Sequence, residues 1–273
     1  MSFAVSHGVP IYYERHGQGP AVVFCHGAGS NAATWWQQLP LFRQHFTCIV
    51  YDHRGFGRSV AGPEAFIPQL FADDLQAVMD AEGIASASLV CQSLGGMSGI
   101  RFALRAPERV DAFVCCDSPL AIDHPQMLAN VRQFLQEVEA TEIEDRALSH
   151  GFVASQPEMA FLYSQINQFN RSVYSPADGK GWGARLAGLF DPSFLLPLQS
   201  LDRLSPPTLF VVGSEDRVVT PAVVRDLTSR VTQAAVAEIP GAGHSPYFEQ
   251  AATFNRVVLD FILTTQNQPR QKP

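Results

Sequence analysis

LVCQSLGGMSGIRFALRAPERV, residues 89–110, is the most informative stretch of this 273-residue chain. An apolar segment runs directly into small residues around Ser93 and then into a helical pattern, which is the layout of a nucleophile elbow. A serine on such a tight strand-to-helix turn needs small neighbours two positions away, because the backbone there is crowded and strained. Cys91 and Gly95 meet that need, although the usual pattern G-x-S-x-G has glycine at both places. Ser93 is therefore the candidate nucleophile, with an ordinary helix N-cap as the alternative.

Backbone N–H groups near Ser93 are candidate donors to an oxyanion. The start of the helix directs the Leu94 N–H, at the positive end of the helix dipole, towards a developing negative charge. A second small-residue loop, HGAGS at 26–30, follows the apolar run AVVFC. In this loop Ala28 is the preferred second donor, with Gly29 behind it. The loop matches neither a P-loop nor G-x-G-x-x-G, which disfavours a nucleotide site.

Short apolar or β-branched runs recur along the chain with helical patterns between them. They are AVVFCH at 21–26, TCIVYD at 47–52, SLVCQS at 88–93, AFVCCD at 112–117 and TLFVVG at 208–213. This spacing predicts parallel strands joined by crossover helices. Residues 2–16, with Gly-Val-Pro between two extended runs, predict an antiparallel hairpin at the sheet edge. The expected fold class is α/β, with a mixed, mostly parallel sheet flanked by helices.

The pattern changes between residues 120 and 200, where polar helical segments with scattered aromatic side chains replace strands. We interpret residues 120–200 as an inserted helical cap, interrupted by the glycine-rich SPADGKGWG at 175–183. Residues 1–119 and 201–265 then form the two parts of the core, and the second part closes with an amphipathic helix, QAATFNRVVLDFILTT. Residues 266–273, QNQPRQKP, are predicted to be a disordered tail.

Composition argues against several classes of function. The net charge of −7, the pI near 5.6 and the lack of lysine or arginine runs disfavour nucleic-acid binding. The N-terminus does not resemble a signal peptide, and no apolar run approaches the roughly 20 residues that span a bilayer, so we expect a cytoplasmic protein without membrane contact. The five cysteines lie in apolar runs, which predicts reduced core thiols. The lack of a CxxC pair disfavours a metal site.

A third motif establishes a family resemblance. DHRGFGRS, residues 52–59, matches the D-x-R-G-x-G-x-S turn of the α/β-hydrolase superfamily. The His26-Gly27 loop and the elbow match the same superfamily in the same order along the chain. Over nearly its whole length the chain resembles the branch that has an HG-x loop and an inserted helical cap. The resemblance implies an α/β-hydrolase fold, and it implies that the 52–59 turn, His26 and His53 are scaffold.

The resemblance also implies a chain order of serine, acid and histidine. VVGSEDRVVTP follows a strand and is similar to the family pattern G-x-x-D-x-x-x-P, with Pro221 one position late, which selects Asp216 rather than Glu215. GAGHS then places His244 on the last loop, after enough residues for one helix and one strand. Asp117, at the end of an earlier strand, remains the alternative acid, because some members of the superfamily carry the acid there.

These residue types suit acyl transfer. A serine hydroxyl is a poor nucleophile until a neutral imidazole accepts its proton, and His244 would be that base. Asp216 would hold the imidazole in the right tautomer, while the Leu94 and Ala28 amides would receive the oxyanion. This chemistry requires no metal or organic cofactor. Because residue 93 is serine and not aspartate, haloalkane dehalogenase and epoxide hydrolase activities are disfavoured.

The resemblance implies a small-molecule carboxylic ester or lactone as the substrate, cleaved through an acyl-enzyme. Enol-lactonases and small carboxylesterases are the groups that the chain resembles most. Thioesters, amides, cofactor-free perhydrolysis and cleavage of a carbon–carbon bond in a ring-fission diketone remain open. A ligand receptor without turnover on the same fold is also open, as is assembly into a homo-oligomer.

We expect the cap to cover the site and to select an acyl or ring group with apolar surface. Large cap side chains that could supply this surface are Phe152, Met159, Phe161, Tyr163, Phe169, Tyr174, Trp182 and Phe190. His124 and His150 also belong to the cap segment and are candidates to face the substrate.

Overall fold

The computed structural model describes residues 2–62, 65–138, 140–168 and 186–267. Its centre is an eight-stranded sheet in the order β1-β2-β4-β3-β5-β6-β7-β8. The strands are β1 Ser2–Ser6, β2 Val9–His16, β3 Ala21–Cys25, β4 Thr47–Tyr51, β5 Ala87–Gln92, β6 Val110–Cys116, β7 Thr208–Gly213 and β8 Ala234–Ile239. Strands β3 to β8 run parallel, whereas β2 is antiparallel to both of its neighbours. The predicted mixed, mostly parallel sheet is confirmed.

The N-terminal hairpin forms as predicted, but its turn lies at His7 and Gly8. Both residues have positive φ, 47° and 77°, which is typical of the tight turns that match the twist of a hairpin. The predicted turn Gly-Val-Pro is therefore wrong in its second half, because Val9 and Pro10 belong to β2. Pro10 pairs with β1, and β2 meets β4 only from Tyr13 onward, so the missing proline N–H breaks no ladder with β4.

Helices flank the sheet and fill the connections between strands. In the core they are α1 Leu39–Phe42, α2 Phe71–Ala81, α3 Leu94–Arg105, α8 Pro221–Ser229, α9 Pro246–Glu249 and α10 Ala251–Gln266. Between β6 and β7 lie α4 Pro125–Glu137, α5 Ile143–Ala147, α6 His150–Ser155 and α7 Pro157–Gln168. Short 3₁₀ segments cover Ala32–Gln37, Pro68–Leu70, Pro107–Arg109 and Leu198–Arg203.

The central strands are buried on both faces. Every residue of β4, β5 and β7 is buried, which explains why these segments are continuous apolar runs without polar alternation. Val23 and Leu89 pack on one face of the sheet, whereas Val22 and Val90 pack on the other. Burying one such side chain contributes about 1.5–3 kcal/mol to the free energy of unfolding. All five cysteines are buried and free, as expected for core thiols.

The segment predicted as a cap contributes helices α4 to α7. The glycine-rich stretch 175–183 and the side chains Phe169, Tyr174 and Trp182 lie outside the described residues. At the C-terminus α10 reaches Gln266, the first residue of the predicted tail, and residues 268–273 lie outside the description. No helix within the described ranges is long and apolar enough to cross a membrane.

Candidate active site

Ser93 lies at the turn between β5 and α3 with φ +49° and ψ −114°. A residue held in such a sparsely populated region carries about 1–3 kcal/mol of strain and persists only where its surroundings impose it. Here the Ser93 N–H donates to Cys116 O at 3.0 Å, and Ser118 Oγ donates to Ser93 O at 2.5 Å. The Ser93 hydroxyl makes no capping bond to α3. Its geometry therefore differs from that of an ordinary N-cap.

Close approach of the neighbouring chain explains the small residues around Ser93. A Cβ at Gly95 would lie only 2.2 Å from the carbonyl oxygen of Cys25 in β3. Cys91 occupies the position where glycine is usual, and it faces Gly99 of α3. A Cβ at Gly99 would lie 2.7 Å from Cys91 Sγ. The turn accepts cysteine at position 91 because Gly99 leaves space for its sulfur.

His244 joins Ser93 to an acid. Its Nε2 lies 3.0 Å from Ser93 Oγ, and its Nδ1 lies 2.9 Å from Asp216 Oδ2. The residue belongs to the loop between β8 and α9. Its backbone N–H donates to Ala147 O at 2.8 Å, and its carbonyl accepts from Gln92 Nε2 at 3.0 Å. These backbone contacts seat the histidine loop beside the elbow.

Asp216 follows β7 and is 4% exposed. Its Oδ1 accepts the backbone N–H groups of Val218 at 2.7 Å and Val219 at 3.1 Å. This arrangement leaves Oδ2 directed at the imidazole of His244. An acid in this position orients a histidine ring and stabilises the imidazolium that forms when the ring accepts a proton.

Asp117, the alternative acid, directly follows β6 and is 1% exposed. Its Oδ1 accepts the Gly213 N–H at 2.9 Å, and its Oδ2 accepts the Cys116 thiol at 3.0 Å. Burial first, and then the adjacent Asp216 carboxylate, raise the pKa of Asp117 well above its ordinary value. Two buried carboxyl groups in contact favour one shared proton over two charges, so Asp117 favours its neutral form.

Asp117, Asp216 and His244 are also the one set of acid and histidine groups within the described ranges whose spacing could hold a metal ion, with ligand atoms within 4.8 Å of one another. The His244 ring nitrogen on that side is already bonded to Asp216. A metal there would have to displace the bond that orients the imidazole.

The two predicted oxyanion donors line the same cavity as Ser93. Leu94 is the first residue of α3, where a backbone N–H has no acceptor within the helix. Ala28 lies in a turn that the Ser30 N–H closes onto Gly27 O at 3.2 Å. A Cβ at Gly27 would lie 2.0 Å from Gln92 Oε1 and 3.2 Å from the Cβ of Ser93, so glycine is what lets this turn approach the end of β5 closely.

His26 and His53 support this turn from inside the protein. The His26 Nδ1 donates to Gly27 O at 2.7 Å, and its Nε2 accepts the His53 N–H at 3.0 Å, a pattern that requires a neutral ring. Burial lowers the pKa of His26 to about 4 and that of His53 well below its ordinary value. Neither ring belongs to the cavity lining.

The 52–59 turn is held by hydrogen bonds within the turn and by bonds to neighbouring segments of the chain. Asp52 Oδ1 accepts the Ala32 N–H at 2.6 Å, and Asp52 Oδ2 accepts the Arg58 N–H at 2.7 Å. Arg54 is fully buried and forms a two-pronged ion pair with Asp74, at 2.7 Å through Nε and 2.5 Å through Nη2. Because Asp52 bonds the chain just after the Ala28 turn, the 52–59 segment braces that turn.

A mostly apolar cavity opens from Ser93 and His244. Its lining is mostly aliphatic and aromatic, and much of it comes from α4 and from residues 186–190. The apolar side chains from those two parts are Val131, Phe134, Leu135, Leu186, Leu189 and Phe190. Sequence reasoning missed all of these except Phe190. The pattern of α4 is that of any amphipathic helix, and such a pattern does not show whether its apolar side chains line a cavity.

The aromatic side chains proposed from the sequence divide between several places. Tyr163 and Phe190 line the cavity, whereas Phe152 and Met159 pack against the core around Phe248. Phe161 is 63% exposed and does not line the cavity.

The two cap histidines that could have faced a substrate do not line the cavity. The His124 ring accepts the Met127 N–H at 3.2 Å at the start of α4 and contacts Asp226 at 3.0 Å. His150 is exposed at the start of α6. His124 therefore caps α4, and His150 lies on the surface.

The site holds a hydroxyl, an imidazole and a carboxylate in hydrogen-bonded series, beside two backbone amides and an apolar cavity. In such an arrangement the hydroxyl oxygen can attack a carbonyl group. The residues that sequence reasoning missed here are Gln92 and Glu249, which bond the backbone of the histidine loop. The available signal for Glu249 was a single acid in the otherwise apolar PYFE that follows His244.

Comparison with known proteins gives consistent results. A family model described as alpha/beta hydrolase fold matches residues 20–251. The chain is 26% identical over 256 residues to 3-oxoadipate enol-lactonase 2 of Acinetobacter baylyi, covering 92% of each chain. It is 28% identical over 271 residues to a Variovorax paradoxus protein provisionally named as the carbamate hydrolase RutD, covering 93% of this chain and 96% of the relative.

Solved structures show the same architecture. A thermophilic esterase from Thermogutta terrifontis superposes with a TM-score of 0.79 at 24% identity, over 97% of both chains. This likeness concerns the fold, and the named relatives above are hydrolases. The family match covers most of the chain, and the chain is thus a member of the alpha/beta hydrolase fold family.

Proposed function

We propose that this protein is a serine hydrolase that cleaves a carboxylic ester or lactone through an acyl-enzyme. The observation that carries the proposal is the unbroken series Ser93 Oγ, His244 Nε2, His244 Nδ1 and Asp216 Oδ2, with steps of 3.0 Å and 2.9 Å. The series opens into an apolar cavity. Each residue has the chemical type that its position in such a series requires.

In the proposed reaction Ser93 Oγ attacks the carbonyl carbon of the substrate while its proton passes to His244 Nε2. Asp216 stabilises the imidazolium, and the Ala28 and Leu94 amides receive the oxyanion of the tetrahedral intermediate. The bond to the alcohol oxygen then breaks, and the imidazolium returns its proton to that oxygen. Water attacks the remaining acyl-enzyme by the same route and regenerates Ser93.

The substrate class follows from the cavity and the relatives together. The lining favours an apolar acyl or ring group, because most of its side chains are aliphatic or aromatic, while Arg146 and Asn167 supply a smaller polar part. An enol-lactonase among the relatives supports an ester or lactone as the bond that is cleaved. The relative provisionally named as a carbamate hydrolase suggests that a carbamate, which also has a carbonyl group, is the next candidate. An ester or lactone of a small to medium-sized apolar acid fits this setting best.

A substrate panel tests the proposal. It would contain nitrophenyl esters from acetyl to dodecanoyl, several lactones, a thioester, a carbamate and a ring-fission diketone. We expect multiple turnovers on esters or lactones, and a loss of several orders of magnitude in Ser93→Ala. Ser98→Ala is the matched control, since Ser98 is a buried serine of α3, five positions after Ser93, and does not line the cavity.

Three outcomes would contradict the proposal. Turnover confined to the diketone would indicate carbon–carbon bond hydrolysis. Stoichiometric binding without turnover would indicate a receptor. Undiminished ester turnover in Ser93→Ala would show that another group is the nucleophile.

A further inference from the structure

Glu249 is a buried carboxylate that the proposed mechanism does not use. It ends α9, five positions after His244, and is 7% exposed. Its oxygens accept the Gly243 N–H at 2.9 and 3.0 Å and the Ser245 N–H at 3.2 Å. Gly243 and Ser245 flank His244, so Glu249 bonds the backbone on both sides of the histidine.

The same carboxylate reaches the segment between β6 and β7. Glu249 Oε2 accepts the Ser149 N–H at 2.8 Å, and Ser149 is the N-cap residue of α6. A Cβ at Gly243 would lie 2.7 Å from Ser149 N. The histidine loop and the start of α6 are therefore in direct backbone contact, with Glu249 bonded to both.

Two further bonds join these parts of the chain. The His244 N–H donates to Ala147 O at 2.8 Å, and Ser149 Oγ donates to Gly241 O at 2.9 Å. On the other side of His244, Ser245 Oγ and the Tyr163 hydroxyl lie 2.8 Å apart. The 241–245 loop therefore bonds to chain segments at α5, α6 and α7.

Only an ionised carboxylate accepts hydrogen bonds at both ends and donates none. A glutamine in this position would turn its NH₂ group towards at least one backbone N–H and lose an acceptor there. Burial raises the pKa of Glu249 above its ordinary value, and the bonds from Gly243, Ser149 and Ser245 offset only part of that rise. Leaving a buried N–H without its acceptor destabilises the arrangement that needs it.

We infer that Glu249 is a positioning residue that clamps the His244 loop to the 147–149 segment, so that alignment of the imidazole with Ser93 depends on docking of the α5–α6 segment. This inference rests on the proposed function, because it assigns His244 the role of base. Glu249 does not line the cavity that opens from Ser93. Its loss therefore affects the rate of the chemical step more than substrate binding.

The test compares Glu249→Gln with Val78→Ala, a cavity-forming variant of α2 that lies on the opposite part of the core. Both variants are measured for kcat and KM on the best ester and for thermal unfolding. We expect Glu249→Gln to lower kcat by about 10- to 100-fold, as a small misplacement of a catalytic group does, with KM nearly unchanged. Val78→Ala should lose stability and keep its kcat.

A second pair of variants addresses the link to α6. Ser149 has φ −68°, which proline can adopt, so Ser149→Pro removes the N–H that bonds Glu249. Ser149→Ala removes only the hydroxyl and is the matched control. We expect kcat to fall further in Ser149→Pro than in Ser149→Ala. This comparison remains informative even if Glu249→Gln does not fold.

A spectroscopic measurement separates positioning from general destabilisation. In the phosphonate adduct, the proton shared by His244 Nδ1 and Asp216 should give a far-downfield NMR signal in the wild-type protein and in Val78→Ala. The signal should weaken or vanish in Glu249→Gln. If the signal and kcat of Glu249→Gln match those of Val78→Ala, and Ser149→Pro matches Ser149→Ala, the inference is overturned. A wild-type protein without ester turnover or Ser93 labelling would instead overturn the proposed function.

Discussion

Asp117 and Asp216 follow the neighbouring strands β6 and β7, and their buried carboxyl groups are in contact, yet only Asp216 bonds the His244 ring. The bonding pattern divides their roles. Asp216 directs one oxygen to the imidazole, whereas the Asp117 oxygens accept bonds from Gly213 and Cys116. The arrangement predicts that Asp216 orients the histidine and that Asp117 is a neutral neighbour.

Substitution of each acid tests this division. Asp216→Ala should lower kcat by about 10³-fold or more, as loss of the orienting acid does in a related arrangement. Asp117→Asn should keep kcat within a few fold of wild type, because asparagine has the shape and donor of a neutral carboxylic acid. Steady-state kinetics on one ester checks both. A larger loss of kcat in Asp117→Asn than in Asp216→Ala would reverse the assignment.

The strained backbone at Ser93 predicts that a residue without a Cβ at this position stabilises the protein. Ser93→Gly should raise the free energy of unfolding by about 1 kcal/mol relative to Ser93→Ala, since glycine adopts positive φ without the steric penalty of a Cβ. Both variants should be inactive. Urea unfolding of the two inactive proteins measures the difference. Equal stability would show that the turn stores no strain at position 93.

His53 predicts a specific pH dependence of stability. Its buried ring nitrogens have no hydrogen-bond partner among the described residues, and its pKa in the folded protein is well below the ordinary value of 6.5. Below about pH 6.5 His53 therefore binds a proton in the unfolded chain but stays neutral in the folded protein. Because the unfolded state binds more protons, the free energy of unfolding decreases as the pH falls. His53→Leu should be more stable, and its advantage over wild type should be larger at pH 5 than at pH 7.5. Urea midpoints at the two pH values test this, and an advantage that shrinks at pH 5 would contradict it.

The Arg54–Asp74 pair predicts a large loss of stability. Both side chains are buried, so Asp74→Asn leaves a guanidinium inside the protein without its counter-charge, which costs about 3–5 kcal/mol. The exposed pair of Arg225 and Glu238 provides the control, because Glu238→Gln should cost less than about 1 kcal/mol. Chemical unfolding of both variants gives the comparison. Similar losses would show that burial does not govern the strength of this pair.

The cavity lining predicts how the enzyme selects acyl groups. The kcat/KM of wild type should rise with acyl length, by up to about 0.8 kcal/mol of transition-state binding for each buried methylene, and then fall once the cavity is full. Leu135→Trp should move the optimum to a shorter acyl chain, because Leu135 of α4 lines the cavity. A flat profile, or an optimum that does not move, would show that α4 does not set selectivity.

Several features of the fold could be predicted because they depend on local sequence. The apolar runs identified the buried strands, because a strand that is buried on both faces has few polar side chains. The small residues around Ser93 identified the elbow, because the backbone there is crowded. The predicted turn at residues 8–10 began one residue and ended two residues too late, because Pro10 suggested a turn while the positive φ at His7 and Gly8 decided it. The sequence alone gave no sign of that competition.

The candidate site residues could be selected from motifs and their order along the chain, whereas the contacts that depend on tertiary packing could not. Ser93, Asp216 and His244 were selected by motif, and the structure places them within hydrogen-bond distance. The motif favoured Asp216, whereas the bonds that distinguish Asp216 from Asp117 join residues of two adjacent strand ends and are seen only in the tertiary structure. The clamp at Glu249 joins residues about 100 positions apart, and only the tertiary structure brings them together.

The most direct test of the account is mass mapping of the adduct formed with an active-site phosphonate. The account predicts one phosphonyl group per chain, located on Ser93, with hydrolytic activity lost in proportion to labelling and no adduct in Ser93→Ala. An adduct on any other residue, or complete labelling of Ser93 with activity retained, would contradict the claim that Ser93 is the nucleophile.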